Sequence, residues 1–119
     1  MPKFLLTIYG DEAAQGQASP EEIQKVAQAY TDVTDEMRSS GVFAAGEGIE
    51  PTPAAKTVRV REGKTMTSDG PFAETKEQLN GFYLLETKDQ DEAIAWAAKI
   101  PGAAVGSVEV RPVLTYPEA

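Results

Sequence analysis

The chain has 119 residues, 19 of them acidic and 11 basic, which gives a formal net charge of −8, and it contains neither cysteine nor histidine. This length predicts a single domain over residues 1–119 with one hydrophobic core. The negative charge disfavours nucleic acid and anionic membranes as partners, because both are polyanions. Disulfides and thiolate or imidazole metal sites are excluded by composition, and we expect neither a metal nor a cofactor.

The amino-terminal residues do not predict a signal peptide. They include one basic residue, Lys3, and no cleavage-site pattern follows. No apolar run approaches the roughly 20 residues that cross a bilayer. Together with the absence of cysteine, these features predict a cytoplasmic protein.

The first half of the chain predicts a strand, a helix and a second strand. Residues 3–9 predict a strand. Side chains alternate between its two faces, and the residues on each face are largely apolar. Ser19 is a helix cap, Pro20 suits the first helical position, and Glu22 completes a capping box. The helix ends at Gly41, and its apolar stripe is formed by Ile23, Val26, Ala27, Tyr30, Val33 and Met37.

Glycines mark the second strand, and a hairpin follows it. Residues 42–49 predict the strand, in which Gly46 and Gly48 indicate a bulge or a close approach of another group. Residues 55–61 and 64–67 predict a hairpin about Glu62-Gly63.

The second half predicts one more strand, helix and strand. Gly81 to Thr87 is apolar on both faces, and Asp89 caps a helix that stops before Pro101-Gly102. Within that helix, Trp96 and Ile100 are expected core residues. Val105 to Val113 makes the last strand.

This order predicts an α+β fold: a ferredoxin-like sandwich in which two helices cover one face of an antiparallel sheet, with an inserted β-hairpin. Two helices leave the other face open. We expect Leu5, Tyr9, Tyr83 and Leu85 on that open face, and an apolar patch of this size is unusual on a small monomer. A homodimer that stacks two sheets face to face would cover it.

Several motifs point to a known family. They are Asp69-Gly70-Pro71-Phe72 with the charged residues to Glu77, the Asn80-Gly81 pair, and the segments 46–48, 57–60 and 108–112. With them the chain resembles the DGPF branch of the YCII-related proteins over residues 4–113. The resemblance implies a dimeric α+β barrel. It also implies a link to extracytoplasmic-function sigma factors, beside which similar members are often encoded.

Asp69 is the candidate catalytic residue. A carboxylate in a dry cleft could have a raised pKa and act as a general base. The alternative is that Asp69 bonds its own turn, with Gly70 supplying an unusual dihedral angle and Pro71 stiffening the exit. The wider YCII-related group carries a His–Asp pair proposed as an active site, and this chain has no histidine with which to complete it.

Other residues are candidates for lining a ligand pocket, each with a structural alternative. The two tyrosines could form a pocket floor or interface core, the arginines could bind an anion or form cross-strand ion pairs, and Glu74 and Lys76 could fix a substrate or be solvated. Phe72 is expected to fill a hydrophobic hole. The pocket candidates are Tyr9, Arg59, Glu74, Lys76, Tyr83 and Arg111.

These observations leave two functions open. The first is a small-molecule pocket that performs proton transfer or isomerisation on a small anionic compound, with fold-level analogy as part of the argument. The second is a non-catalytic accessory or regulatory module linked to a sigma factor. The absence of histidine and cysteine favours the second. Weighing both, we expect a ligand pocket, and whether the chain is an enzyme stays open.

Overall fold

The computed structural model describes residues 1–117. The strands are β1 (Lys3–Asp11), β2 (Phe43–Gly48), β3 (Lys56–Arg61), β4 (Lys64–Asp69), β5 (Glu77–Glu86) and β6 (Ser107–Pro112). The helices are α1 (Glu12–Gln15), α2 (Pro20–Ser39) and α3 (Gln90–Ala97), and short 3₁₀ turns lie at Thr52–Ala54 and Pro101–Ala104. The sequence predicts a loop where α1 forms. Its first turn is held by the Asp11 carboxylate, which accepts from the backbone N–H groups of Ala13 and Ala14.

Four strands form one antiparallel sheet in the order β2-β5-β1-β6, and β3 and β4 form a separate two-stranded sheet. Buried side chains of α2 and α3 join buried side chains of β1 and β5 in one core, so both helices cover the same face. The predicted ferredoxin-like α+β fold with an inserted hairpin is therefore confirmed. The core residues are Phe4, Leu6, Ile8, Val33, Met37, Val42, Tyr83, Leu85, Ala93, Ala97 and Ile100.

The caps of α2 explain its bounds. The N–H of Glu22 donates to Ser19 Oγ at 3.2 Å, as the capping box predicts. At the other end Gly41 has φ +76°, its N–H donates to the carbonyl of Arg38, and the N–H of Val42 donates to that of Met37. This is a Schellman motif, in which a left-handed residue satisfies the last carbonyls of the helix.

The register of β1 with β5 corrects the prediction for the open face. Leu6 pairs with Tyr83 and Phe4 pairs with Leu85, so Tyr83 and Leu85 lie on the helix-covered face and are buried. The prediction that these two residues face outward was wrong. Their strand neighbours Phe82 and Leu84 are the half-buried residues of the open face, where Leu84 pairs with Leu5.

The hairpin of β3 and β4 turns at Glu62-Gly63, as predicted, and every residue of β4 is exposed. Val58, Val60 and Met66 are 59%, 58% and 55% exposed. The radius of gyration of the chain is 16.4 Å, whereas a compact domain of this length has about 13.5 Å. The hairpin therefore projects from the core.

The segment that joins β4 to β5 is a turn anchored on the hairpin. Gly70 has φ +87°, a value that a side chain would strain, and its N–H donates to the carbonyl of Ala55 at 2.8 Å. The hydroxyl of Thr57 donates to the carbonyl of Gly70 at 2.8 Å. Phe72 is 83% exposed, so the prediction that it fills a hydrophobic hole was wrong for the single chain.

Candidate functional site

A cleft of about 690 Å³ lies between α2 and the helix-covered face of the sheet. Val33 and Met37, in the second half of α2, are buried, whereas Ile23 and Val26, in its first half, are 56% and 50% exposed. All four residues belong to the apolar stripe predicted for this helix. The stripe thus packs on the core at one end only, and Ile23 and Val26 face the cleft instead.

The floor and one wall of the cleft are apolar and aromatic. Tyr83 of β5 and Phe43 of β2 line it, with their rings edge to face and the centroids 6.3 Å apart. Gly46 makes room for this arrangement, because a Cβ at Gly46 would lie 2.7 Å from the Tyr83 ring. The close approach predicted for Gly46 is confirmed, while the bulge of β2 lies earlier, between Phe43 and Ala45.

Three hydroxyl groups lie along the cleft where α2 meets the sheet. The hydroxyl of Thr34 donates to the carbonyl of Tyr30 at 2.7 Å, and it also lies 2.7 Å from the hydroxyl of Tyr83. The N–H of Gly102 donates to the Tyr30 hydroxyl at 3.2 Å.

Burial raises the pKa of Tyr30 above its usual value of 10.0. The hydrogen bond from Gly102 lowers that pKa in part, and the neighbouring Tyr83 raises it further. Tyr30 is therefore a neutral phenol at physiological pH.

Polar pairs lie at the ends of the cleft. The Glu12 carboxylate accepts from the N–H of Thr52 at 2.9 Å and from its hydroxyl at 2.7 Å, which fixes α1 against the segment after β2. The Gln15 side chain donates to Asn80 Oδ1 at 2.8 Å. At the other end Arg38 lies 4.6 Å over the Phe43 ring. Arg38 is the only basic residue that lines the cleft within residues 1–117.

Two of the pocket candidates from the sequence line this cleft, Tyr9 and Tyr83. They are not cross-strand neighbours, because Tyr9 pairs with Leu79 and Tyr83 with Leu6. Arg59 lies on the projecting hairpin, and Glu74 and Lys76 lie exposed in the segment after it. Arg111 forms an ion pair with Glu109 at 2.5 Å.

Asp69 ends β4 and lies outside the cleft lining. Its side chain is 88% exposed, and its carboxylate forms an ion pair with Lys56. A single chain thus offers Asp69 no dry environment. Its role as a general base stays a prediction, and that role would need a second molecule to cover the hairpin.

Sequence reasoning missed Tyr30, Thr34 and Arg38 as site residues. Helical spacing predicts Tyr30 only as a member of the apolar stripe of the helix. The signal was the spacing: these residues recur every four positions along α2, and side chains four apart lie close together on a helix. Val33 and Met37 are the residues of α2 that are buried in the core.

Comparison with known proteins identifies the family of this chain. The model of the YCII-related domain matches residues 2–117. The chain belongs to the YCII-related family. An uncharacterized protein of Rhizobium meliloti (strain 1021) is 38% identical over 115 residues, which cover 95% of this chain and 93% of the relative. This YCII-related chain has no helix within residues 1–117 that is long and apolar enough to cross a membrane.

Proposed function

We propose that this YCII-related protein binds a small, mainly apolar molecule in the cleft between α2 and the sheet. One observation carries the proposal: Ile23 and Val26 face a space of about 690 Å³ instead of the sheet. Binding sites for small molecules have volumes of about 300–1,000 Å³ and are mostly apolar with a few polar groups. A ligand in this cleft would remove apolar surface from water, which stabilises the complex.

The charges at the cleft limit where an anionic group could bind. Glu12 and Glu22 line the cleft, and both accept hydrogen bonds from the chain itself. Arg38 lies at one end, and its nearest acidic partner, Asp35, is 4.0 Å away. We therefore expect the body of the ligand to be neutral, with any carboxylate or phosphate at Arg38.

Proton transfer, the reaction class predicted from the sequence, has one supporting group in the cleft. Tyr30 is a neutral phenol there, and its hydroxyl proton is the one that an acid catalyst would transfer. The hairpin that carries Asp69 would have to approach a second copy of the chain for that carboxylate to serve as base. Isomerase-like chemistry in this protein is a proposal that depends on that approach.

A neutral fluorescent probe, N-phenyl-1-naphthylamine, tests binding in the cleft. We expect its emission to rise with the native protein and to stay low with Val26→Trp, because the indole would occupy the cleft. Ile94→Trp is the matched control, since Ile94 is 51% exposed on α3 and lies outside the cleft lining. Equal emission with both variants would refute the proposal.

We also propose that two copies associate through the open face of the sheet. Leu5, Phe82 and Leu84 are half-buried on this face, which neither α2 nor α3 covers, and apolar patches of this kind mark interfaces. A second copy supplies the same patch about a two-fold axis.

The alternative function, an accessory role beside a sigma factor, stays a prediction, and so does the cytoplasmic location that it requires. The observation that favours it is the exposed apolar pair Val58 and Val60 on one face of the hairpin, opposite the face that carries Arg59 and Met66. Co-purification of a sigma factor with the native protein, and its loss on Val60→Glu, would support this role.

A further inference from the structure

The Thr34 hydroxyl takes part in two hydrogen bonds, and because it has a single hydrogen it can be the donor in only one of them. It donates this hydrogen to the carbonyl of Tyr30 at 2.7 Å. Thr34 is therefore the acceptor in its 2.7 Å contact with the hydroxyl of Tyr83, and Tyr83 is the donor. The Tyr83 oxygen consequently offers only lone pairs to a molecule in the cleft.

The Tyr30 hydroxyl, in contrast, offers a hydrogen to a molecule in the cleft. Its oxygen accepts from the N–H of Gly102 at 3.2 Å. Among the hydrogen bonds of residues 1–117, none has the Tyr30 hydroxyl as donor, so its hydrogen is free for a ligand. The raised pKa of Tyr30, which burial causes, keeps that hydrogen in place at neutral pH.

The cleft therefore presents one donor, the Tyr30 hydroxyl, and one acceptor, the Tyr83 hydroxyl. Both phenols line the same cleft, and the effect of Tyr83 on the pKa of Tyr30 shows that the two hydroxyl groups are near neighbours there. We propose that this pair recognises a hydroxyl group on an otherwise apolar, uncharged ligand. The ligand oxygen accepts from Tyr30, and the ligand hydrogen is donated to Tyr83. This inference rests on the proposed binding function and names the class of ligand.

Other polar groups match this pair less well. A ketone or ether can accept from Tyr30, but it presents a second lone pair to the oxygen of Tyr83. A carboxylate does the same and carries a charge, while the only basic residue lining the cleft within residues 1–117 is Arg38, two turns away from Tyr30 on α2. An alcohol is the smallest group that both accepts and donates at one oxygen.

Three ligands with the same ring skeleton test this inference: 2-indanol, 2-indanone and indane, with affinities measured by calorimetry or ligand-observed NMR. We expect 2-indanol to bind most tightly. Tyr30→Phe and Tyr83→Phe should each weaken 2-indanol by about threefold to tenfold and leave indane unchanged, since each removes one hydrogen bond. The ratio of the affinity for 2-indanol to the affinity for indane separates recognition of the hydroxyl group from any change in the shape of the cleft.

Thr34→Val gives a readout that a purely structural role would not move. Valine removes the acceptor of Tyr83, so the Tyr83 hydrogen becomes free and the cleft then holds two donors. We expect the preference for 2-indanol over 2-indanone to fall or reverse in this variant.

The outcomes separate the two proposals. Failure of all three compounds to bind the native protein would overturn the binding function. Equal affinity for the three, or a preference for 2-indanol that survives both Tyr→Phe changes, would overturn hydroxyl recognition and leave the cleft as an apolar site.

Discussion

The hydroxyl groups of Thr34 and Tyr83 lie 2.7 Å apart and join α2 to β5. This contact stands at the boundary between the buried half of α2, with Val33 and Met37, and the half that faces the cleft. Polar bonds of this kind fix the position of a helix more narrowly than apolar packing does, because they depend on distance and direction.

Loss of this contact should destabilise the fold. Thr34→Val leaves the buried Tyr83 hydroxyl without its acceptor, and we expect the free energy of unfolding to fall by about 1–3 kcal/mol. Urea denaturation measures the change. Thr31→Val is the matched control, because Thr31 makes the same backbone bond to Ala27 but is exposed. Equal effects of the two substitutions would contradict the prediction.

Gly46→Ala should also destabilise the protein. Its Cβ would lie 2.7 Å from the Tyr83 ring, and overpacking of this kind costs about 1–3 kcal/mol. Gly48→Ala, in the same strand, has no atom within 4 Å of the new Cβ and should be tolerated. Chemical denaturation of both variants provides the comparison, and a neutral Gly46→Ala would show that Tyr83 can move freely.

Tyr30 should make stability fall at alkaline pH. Its pKa is raised in the folded state above the usual 10.0, so above about pH 10 the unfolded chain loses this proton first. The unfolded state then binds fewer protons than the folded state, and the free energy of unfolding decreases as pH rises through the folded pKa.

Unfolding at a series of pH values between 9 and 11.5, each held with matched ionic strength, measures this effect. Tyr30→Phe should flatten the alkaline decline, whereas Tyr116→Phe should not, because Tyr116 is 77% exposed. Parallel curves for Tyr30→Phe and the native protein would contradict the assignment.

The open face of the sheet should govern assembly. We expect light scattering to give about twice the 12.8 kDa mass of one chain for the native protein, and 12.8 kDa for Leu84→Glu, because a charge there would have to be buried between sheets. Ile94→Glu is the control. Ile94 is exposed on α3, away from the open face of the sheet, so this variant should keep the mass of the native protein. A native mass of 12.8 kDa at micromolar concentration would exclude the dimer.

Asp69→Asn should barely change stability. Its ion pair with Lys56 is exposed, and pairs of this kind contribute about 0–1 kcal/mol. A loss of ligand turnover in a variant of native stability would therefore show a functional role for Asp69. Lys64→Gln, elsewhere on the same hairpin, is the control for a general change of charge.

Local signals in the sequence were sufficient for the helix caps and the turns. The helix α2 begins and ends where Ser19, Glu22 and Gly41 predict, because capping depends on residues close in the chain. The same holds for the Glu62-Gly63 turn and for Gly70, whose dihedral angle supports the turn interpretation of its motif.

Long-range geometry could not be predicted in the same way. The run Phe82-Tyr83-Leu84-Leu85 is apolar on both faces, so alternation alone does not say which face meets the helices; the pairing of Leu6 with Tyr83 decides it. An apolar stripe on α2 likewise looks the same whether it packs on a sheet or lines a cleft. For this reason the stripe that includes Tyr30 does not predict the cleft.

The shape of the chain affects how its mass would be read in solution. Its principal dimensions are 52 × 47 × 18 Å, so a single chain is a thin plate and not a sphere. Plates diffuse more slowly than spheres of equal mass and leave a sizing column early. An elution volume calibrated with globular standards would therefore overestimate the mass of one chain, so the assembly state has to be measured by light scattering, which does not depend on shape in this way.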